Sequence, residues 1–228
     1  MKDLIISGST PQLRYWVASR PIPGEWISGD QYLVAPFPHG VLVAVVDGLG
    51  HGSKAAAAAE AAVAVLAEHA GDPVESLVQR CHVALRKTRG AVMSLATLNG
   101  LDNTMSWLGI GNVEAMLVSS CKAPGSSRKV SLMLRGGIVG DRLPPLMTAS
   151  VPLYPDDLLF FATDGIKSAF IRDVRCVEHP YELIHQIFFR HVRGTDDALL
   201  LGAKWTRDEA MQDDMQNTNL FPEVGNTH

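Results

Sequence analysis

Cysteine is scarce in this 228-residue sequence, which contains Cys81, Cys121 and Cys176 and no C-x-x-C pair. Three widely spaced cysteines are typical of reduced thiols rather than of a disulfide framework or a zinc site. The N-terminal segment also lacks a convincing small-residue cleavage site after its short apolar stretch, which argues against a secretory signal. We therefore expect a cytoplasmic protein.

Long apolar runs and an excess of positive charge are missing as well. Hydrophobic residues make up 46% of the chain, yet its apolar runs are far too short to cross a bilayer. The chain has 20 Lys and Arg against 24 Asp and Glu, and its net charge of -4 gives no broad basic surface for nucleic acid. We expect a monomer whose partner is a protein or a small ligand, not a nucleic acid or a membrane.

The chain is long enough for one large domain with a full core. We predict a single domain over residues 1–205. From residue 206 onward the segment TRDEAMQDDMQNTNLFPEVGNTH is polar and loses its periodicity. This composition predicts a mobile tail over residues 206–228.

Short apolar segments separated by Gly, Pro, Asn and Asp predict a sheet-rich core. These segments are QYLVAPF, VLVAVV, AVMSLATL, TMSWLGIG, NVEAMLVSS, KVSLMLR, LLFFAT and ALLLGAKW. The connection NGLDN contains an Asn-Gly pair, which favours an antiparallel hairpin. Helices are predicted over residues 53–70 and 73–89, and a second pair at GIKSAFI and PYELIHQIFFRHV. This order predicts an α+β fold, a four-layer αββα sandwich of two antiparallel sheets flanked by helix pairs.

Four aspartates share one setting, the edge of an apolar run beside glycine or a short polar residue. They are Asp30, Asp47, Asp164 and Asp196. Each alone is explained as a turn former or a helix cap. Strand ends on one side of a sheet converge, however, and carboxylates that meet repel one another unless a cation lies between them. An all-oxygen ligand set favours Mg²⁺ or Mn²⁺, and a bridged pair of such ions cleaves phosphate esters.

The motifs SGD, VVDGLGHG, LGIGNVEAML, RGGIVG, FFATDGI and TDDALLL follow in this order over residues 15–205. In this arrangement the chain resembles the metal-dependent Ser/Thr phosphatases of the protein phosphatase 2C class. Within that class it is most similar to the bacterial SpoIIE-like branch and, there, to the short stressosome phosphatases. The resemblance implies an antiparallel β sandwich flanked by helices, which agrees with the layout predicted from periodicity.

Transferred to this sequence, the resemblance implies two Mn²⁺ or Mg²⁺ ions. Asp47 would bridge them, and Gly48 would be a ligand through its backbone carbonyl. Asp164 and Asp196 would hold one ion, and Asp30 would act on the other side through bound waters.

Three details of the site stay open in the sequence. Asp196 is preferred to its neighbour Asp197 because the family aspartate is the first of the pair. His51 could donate a proton to the leaving serine or threonine oxygen, or it could cap the following helix or bind a backbone carbonyl. No arginine precedes Asp30 where relatives bind phosphate, so the phosphate-binding group is not identified.

The resemblance implies dephosphorylation of STAS-domain scaffold proteins of the stressosome. One alternative is a phosphatase of the same branch that acts on an anti-anti-sigma factor, and another is a catalytically inactive interaction module. A dinucleotide-binding turn at DGLGHG is disfavoured because its third glycine would fall at Ser53 and its acid, Glu68, lies inside a predicted helix.

Overall fold

The computed structural model of the protein describes residues 4–120 and 128–206. Within these ranges the chain forms twelve strands, three α-helices and one short 3₁₀ helix. The strands are β1 (Leu4–Thr10), β2 (Leu13–Arg20), β3 (Asp30–Phe37), β4 (Gly40–Gly48), β5 (Ala91–Asn99), β6 (Thr104–Ile110), β7 (Glu114–Val118), β8 (Lys129–Ser131), β9 (Leu134–Arg135), β10 (Ala149–Pro152), β11 (Leu158–Ala162) and β12 (Ala198–Trp205). The helices are α1 (Ser53–Glu68), α2 (Val74–Leu85) and α3 (Pro180–His191), and the 3₁₀ helix spans Ser168–Arg172.

The strands form two six-stranded sheets. The first has the order β1-β2-β12-β11-β7-β8, and the second has the order β10-β6-β5-β4-β3 with β9 beside β6. The strand pairs are antiparallel except for β6 with β9, which is parallel. The predicted α+β class and the predicted hairpin between β5 and β6 are confirmed.

The alternation of side chains along buried strands builds three apolar layers. In β4, Val43 and Val45 point into the core between the two sheets, whereas Ala44 and Val46 point toward helices α1 and α2. In β11, Phe161 lies between the sheets and Phe160 faces α3. Since successive side chains of a strand point to opposite faces, continuous apolar runs are what a sheet covered on both faces requires. The result is the predicted four-layer sandwich.

The helices cover the outer faces as expected, with one difference in type. The helix predicted over residues 73–89 is α2; its buried residues run as one apolar stripe from Val74 to Leu85, and the helix ends before residue 89. On the other side α3 is regular, but GIKSAFI forms the 3₁₀ helix rather than an α-helix, so that prediction is wrong in type. The segment is one short turn that buries Phe170, too short for the repeated i to i−4 bonds of an α-helix.

Two predictions about segments need correction. KVSLMLR is not one strand: Leu132 is buried between the sheets, and the chain then leaves β8 in the first sheet and continues as β9 in the second. Cys176 is disulfide-bonded, so the expectation of reduced thiols is wrong for that residue. Cys81 is a free, buried cysteine, and burial raises the pKa of its thiol to about 12.

No helix within residues 4–120 and 128–206 combines the length and apolarity needed to span a bilayer. Cys121 and residues 207–228 of the predicted tail lie outside the described residues.

Candidate metal centre

Asp30 and Asp47 are opposite residues of the β3–β4 hairpin. Asp30 is the first residue of β3 and pairs in register with Asp47, near the end of β4. Side chains of directly opposite residues in an antiparallel pair lie on the same face and close together. The hairpin therefore brings together two of the predicted aspartates, with Asp30 buried at 5% exposure.

The other two predicted aspartates come from the first sheet. Asp164 follows the end of β11, and Asp196 precedes the start of β12, which pairs antiparallel with β11. Thr163 links this edge to the second sheet, because its hydroxyl donates to Asp30 Oδ2 at 2.7 Å and accepts the Leu199 N–H at 2.9 Å. All four predicted acids thus stand at the same end of the sandwich.

The carboxylates act on one another electrostatically. Burial, followed by the charges of Asp164, Asp196 and Asp197 in that order of importance, raises the pKa of Asp47 to about 8. Burial, followed by the charge of Asp47, holds the pKa of Asp30 well above its usual range. Burial and the charge of Asp196 raise the pKa of Asp164. Carboxylates that lie close together with no cation between them are expected to have raised pKa values.

Asp196 and its neighbour Asp197 have different surroundings. Asp197 is 3% exposed, and its two carboxylate oxygens accept the N–H groups of Ile22 at 2.8 Å and Gly29 at 2.7 Å. Asp196 is half-buried and accepts the Asp197 N–H at 2.9 Å through one oxygen. The Asp197 carboxylate is therefore occupied by backbone donors, whereas that of Asp196 has an oxygen available to face Asp47 and Asp164.

Two site residues were missed by the sequence reasoning. Asn112 donates from its side-chain amide to Asp164 Oδ2 at 2.8 Å, and Thr163 holds Asp30 in the way described above. Both residues lie inside motifs that were recognised, LGIGNVEAML and FFATDGI. No local pattern distinguishes an amide or hydroxyl that binds a distant carboxylate from one that faces water.

Close packing and backbone geometry explain why glycines follow Asp47. A Cβ atom at Gly48 would collide with the backbone carbonyl of Ala55 in α1, so helix and strand approach closely only at glycine. Gly50 and Gly52 have φ angles of 88° and 71°, in the left-handed region that favours glycine. The turn thus needs glycine for packing and backbone geometry, and the Gly48 N–H is fixed by the Gly29 carbonyl at 3.1 Å.

His51 lies at the exposed rim of the site. Its side chain is 58% exposed, and Nδ1 lies 3.1 Å from Glu25 Oε1. The N-cap of α1 is Gly52, and no side chain caps that helix end. His51 is hydrogen-bonded to a carboxylate, an arrangement different from the helix cap or the backbone-carbonyl contact considered from the sequence.

The donor chemistry of the cluster fits a hard divalent cation. Within residues 4–120 and 128–206, no group of three His, Cys, Asp or Glu side chains forms a ready-made metal cage. The carboxylates are nevertheless near enough to raise one another's pKa. Oxygen ligands of this kind suit Mg²⁺ or Mn²⁺, and such an ion would offset the repulsion between them.

Comparison with known proteins assigns the family. The family model for Stage II sporulation protein E (SpoIIE) matches residues 38–216. The chain belongs to the SpoIIE family. The matched region contains Asp47, Asp164 and Asp196 and begins after Asp30.

Individual SpoIIE-family relatives and solved structures agree with this assignment. The phosphoserine phosphatase RsbX of Bacillus subtilis (strain 168) is 32% identical over 96 residues, 42% of this chain and 48% of that protein. The aligned region therefore spans about half of that curated relative. A crystal structure of RsbX in complex with magnesium superposes with a TM-score of 0.79 at 20% identity, covering 89% of this chain and 100% of that chain.

Two further structures have the same fold. One is described as the bacterial stressosome, a modular system adapted to control secondary messenger signalling, with a TM-score of 0.73 at 28% identity over 84% of this chain and 99% of that chain. The other contains the PP2C phosphatase domain of SpoIIE from Bacillus subtilis, with a TM-score of 0.68 at 18% identity over 88% of this chain and 70% of that chain. The recognition of a SpoIIE-type PP2C fold is confirmed.

Proposed function

We propose that this SpoIIE-family protein is a metal-dependent phosphatase that removes phosphate from serine or threonine of a protein. The observation that carries the proposal is the buried position of Asp47 beside other carboxylates, which raises its pKa to about 8. A buried acidic cluster of this kind is costly unless it binds cations. The similarity to a phosphoserine phosphatase supports the same activity.

In this proposal Asp47 would be a ligand of both ions, and the Gly48 carbonyl would be a further ligand. Asp164 and Asp196 would hold one ion, and Asp30 would act on the other side. Bound Mg²⁺ or Mn²⁺ would supply an activated water and offset the charge of the phosphate group.

The surrounding residues orient the proposed ligands. The Asn112 amide donates to one oxygen of Asp164, and this contact fixes the orientation of the whole carboxylate. The Thr163 hydroxyl does the same for Asp30, and Asp197 holds the segment before β3 through Gly29. Carboxylates fixed by hydrogen bonds lose less freedom when a cation binds, which favours binding.

Activity tests the proposal directly. Hydrolysis of p-nitrophenyl phosphate should require added Mn²⁺ or Mg²⁺ and should stop with EDTA, because the acids alone do not activate water. Asp47→Asn should lose nearly all turnover while remaining folded, since it removes the charge shared by both ions. Full activity of a metal-stripped sample, or near-normal turnover of Asp47→Asn, would refute the mechanism. An inactive interaction module would show no metal-dependent turnover at all.

We propose a second role at the rim, in which His51 donates a proton to the leaving oxygen. Its Nδ1 is directed to Glu25, which leaves Nε2 for the substrate. His51→Ala should then slow hydrolysis of a phosphopeptide more than that of p-nitrophenyl phosphate, because nitrophenolate leaves without protonation. Equal losses on both substrates would assign His51 a structural role.

For the natural substrate we propose phosphorylated STAS-domain scaffold proteins of the stressosome. The similarity to RsbX and to the structure described as the bacterial stressosome supports this choice. The scaffold proteins can be phosphorylated by their cognate kinase, treated with this protein and Mn²⁺, and followed at each phosphosite by mass spectrometry. Faster loss from these sites than from a phosphorylated anti-anti-sigma factor is expected. The reverse preference would assign the protein to the alternative substrate.

A further inference from the structure

Arg89 lies beside the turn that follows Asp47. The residues after it are tied to this turn: Gly90 accepts the Leu49 N–H at 3.1 Å, and Ala91 pairs in register with Gly48. The guanidinium itself reaches the turn, because a Cβ atom at Gly50 would lie 2.6 Å from Arg89 Nη1. Arg89 is therefore packed against the backbone of Gly50, a few residues from the proposed bridging ligand.

The charge of Arg89 is not neutralised by an acidic side chain of the described residues. Arg89 is exposed, and within residues 4–120 and 128–206 it forms no ion pair with an acid. Two other arginines near the same end of the sandwich differ in this respect. The charge of Arg193 acts on Asp164 and offsets part of the rise in its pKa, and the guanidinium of Arg20 lies over the rings of Phe188 and Phe189.

Substrate binding at this site needs such a cation. A phosphate monoester carries close to two negative charges at neutral pH, and it must approach a cluster of aspartates. Bound metal ions would offset part of that repulsion, and a cationic side chain would offset more of it. A guanidinium donates two parallel N–H bonds to such oxygens, a geometry that an ammonium does not provide.

We propose that Arg89 binds the phosphate oxygens of the substrate from the Gly50 side of the site. The inference rests on the proposed phosphatase function and adds the phosphate-binding residue that the sequence motifs did not identify. Arg89 contacts the substrate in this proposal and does not bind metal. Its loss should therefore weaken phosphate binding and leave the affinity for Mn²⁺ unchanged.

The test compares Arg89→Gln, Arg89→Lys and the matched control Arg86→Gln. Arg86 is exposed, is the C-cap residue of α2 and carries the same charge, so the control removes an equal charge three residues away. Inorganic phosphate and Mn²⁺ binding are measured by calorimetry on metal-loaded and metal-free protein, together with kcat and KM for p-nitrophenyl phosphate. Thermal unfolding confirms that each variant is folded.

Arg89→Gln should weaken phosphate binding and raise KM by about ten-fold to a hundred-fold, the effect of losing a charged hydrogen-bonded pair. Arg89→Lys should fall between Arg89→Gln and the wild type. Arg86→Gln should stay within about two-fold of the wild type, because the exposed Arg86 side chain does not contact the Gly50 position. Mn²⁺ affinity should be the same in all four proteins.

Equal effects of Arg89→Gln and Arg86→Gln would overturn the assignment, as would a loss of phosphate binding in Arg193→Gln but not in Arg89→Gln. These outcomes differ from failure of the proposed function. In that case the wild-type protein itself would show no metal-dependent hydrolysis, and a wild-type protein that also bound no phosphate would overturn both proposals.

Discussion

The Asp197 carboxylate accepts a backbone N–H bond at each oxygen, from Ile22 and from Gly29. These bonds attach the segment before β3, in the second sheet, to the segment before β12, in the first. The charge of Asp196 raises the pKa of both Asp47 and Asp164, and it acts on Asp47 more strongly than the charge of Asp197 does. Asp197 thus holds the two sheets in position, and its neighbour Asp196 completes the acidic cluster.

Substitution by asparagine should separate these two contributions. Asp197→Asn would place an amide NH₂ group against one of the two backbone donors, and the free energy of unfolding of the metal-free protein should fall by about 1–3 kcal/mol. Asp196→Asn removes one of several repelling charges and should leave metal-free stability unchanged or slightly higher, while weakening Mn²⁺ binding. Urea denaturation and Mn²⁺ calorimetry measure both properties. The opposite pattern would assign the metal ligand to Asp197.

Among the elements, α1 combines high helix propensity with close packing. Ala58, Ala59 and Ala62 are fully buried in the apolar cluster between the helix and the second sheet. Alanine is the best helix former, and its small side chain permits this close packing. The alanine run is therefore a packing surface on one side of the helix and a solvent-exposed surface on the other.

A pair of identical substitutions tests this difference. Ala59→Leu should destabilise the protein by about 1–3 kcal/mol, because a tightly packed interface has no room for the added atoms. Ala64→Leu, on the exposed side of the same helix, should change stability by less than about 0.5 kcal/mol. Thermal or urea unfolding gives both values. A similar effect at the two positions would contradict the packing of α1 on the sheet.

The elements also show what the sequence could predict. Continuous apolar runs identified β4, β11 and β12, because strands buried on both faces have no polar alternation. The β1–β2 hairpin was missed, since its Ser, Thr and Arg residues interrupt the apolar pattern that identifies a strand. The division of KVSLMLR between two sheets was also missed, because it depends on which distant strand each half meets.

Part of the candidate site could likewise be predicted from the sequence, and part could not. The repeated setting of four aspartates at strand ends predicted that they would converge, and the structure places them at one end of the sandwich. The hydrogen bonds of Asn112 and Thr163 to these acids could not be predicted, because each joins residues far apart in the chain. Their partners become apparent only when both sheets are assembled.

At the scale of the whole molecule, the acidic cluster should make stability depend on metal. In the proposed metal centre, Mn²⁺ would bind the folded protein and not the separated carboxylates of the unfolded chain, so adding it should raise the melting temperature. The expected gain is about 2.7 kcal/mol at a metal concentration 100 times the dissociation constant. Asp47→Asn should melt higher than the wild type without metal and gain much less from Mn²⁺. Scanning calorimetry measures both, and an equal response of the two proteins would contradict a metal centre at Asp47.

The position of β12 has a consequence for biosynthesis. This strand is the last in the described part of the chain, yet it lies in the middle of its sheet, between β2 and β11. During translation, β2 and β11 leave the ribosome before β12, the strand that lies between them. The first sheet therefore closes only when β12 emerges. Because Asp196 and Asp197 immediately precede that strand, the acidic cluster is completed at the same moment. We therefore expect a nascent chain released before residue 196 to lack both the closed sheet and Asp196 of the proposed metal centre, and such a fragment should be inactive.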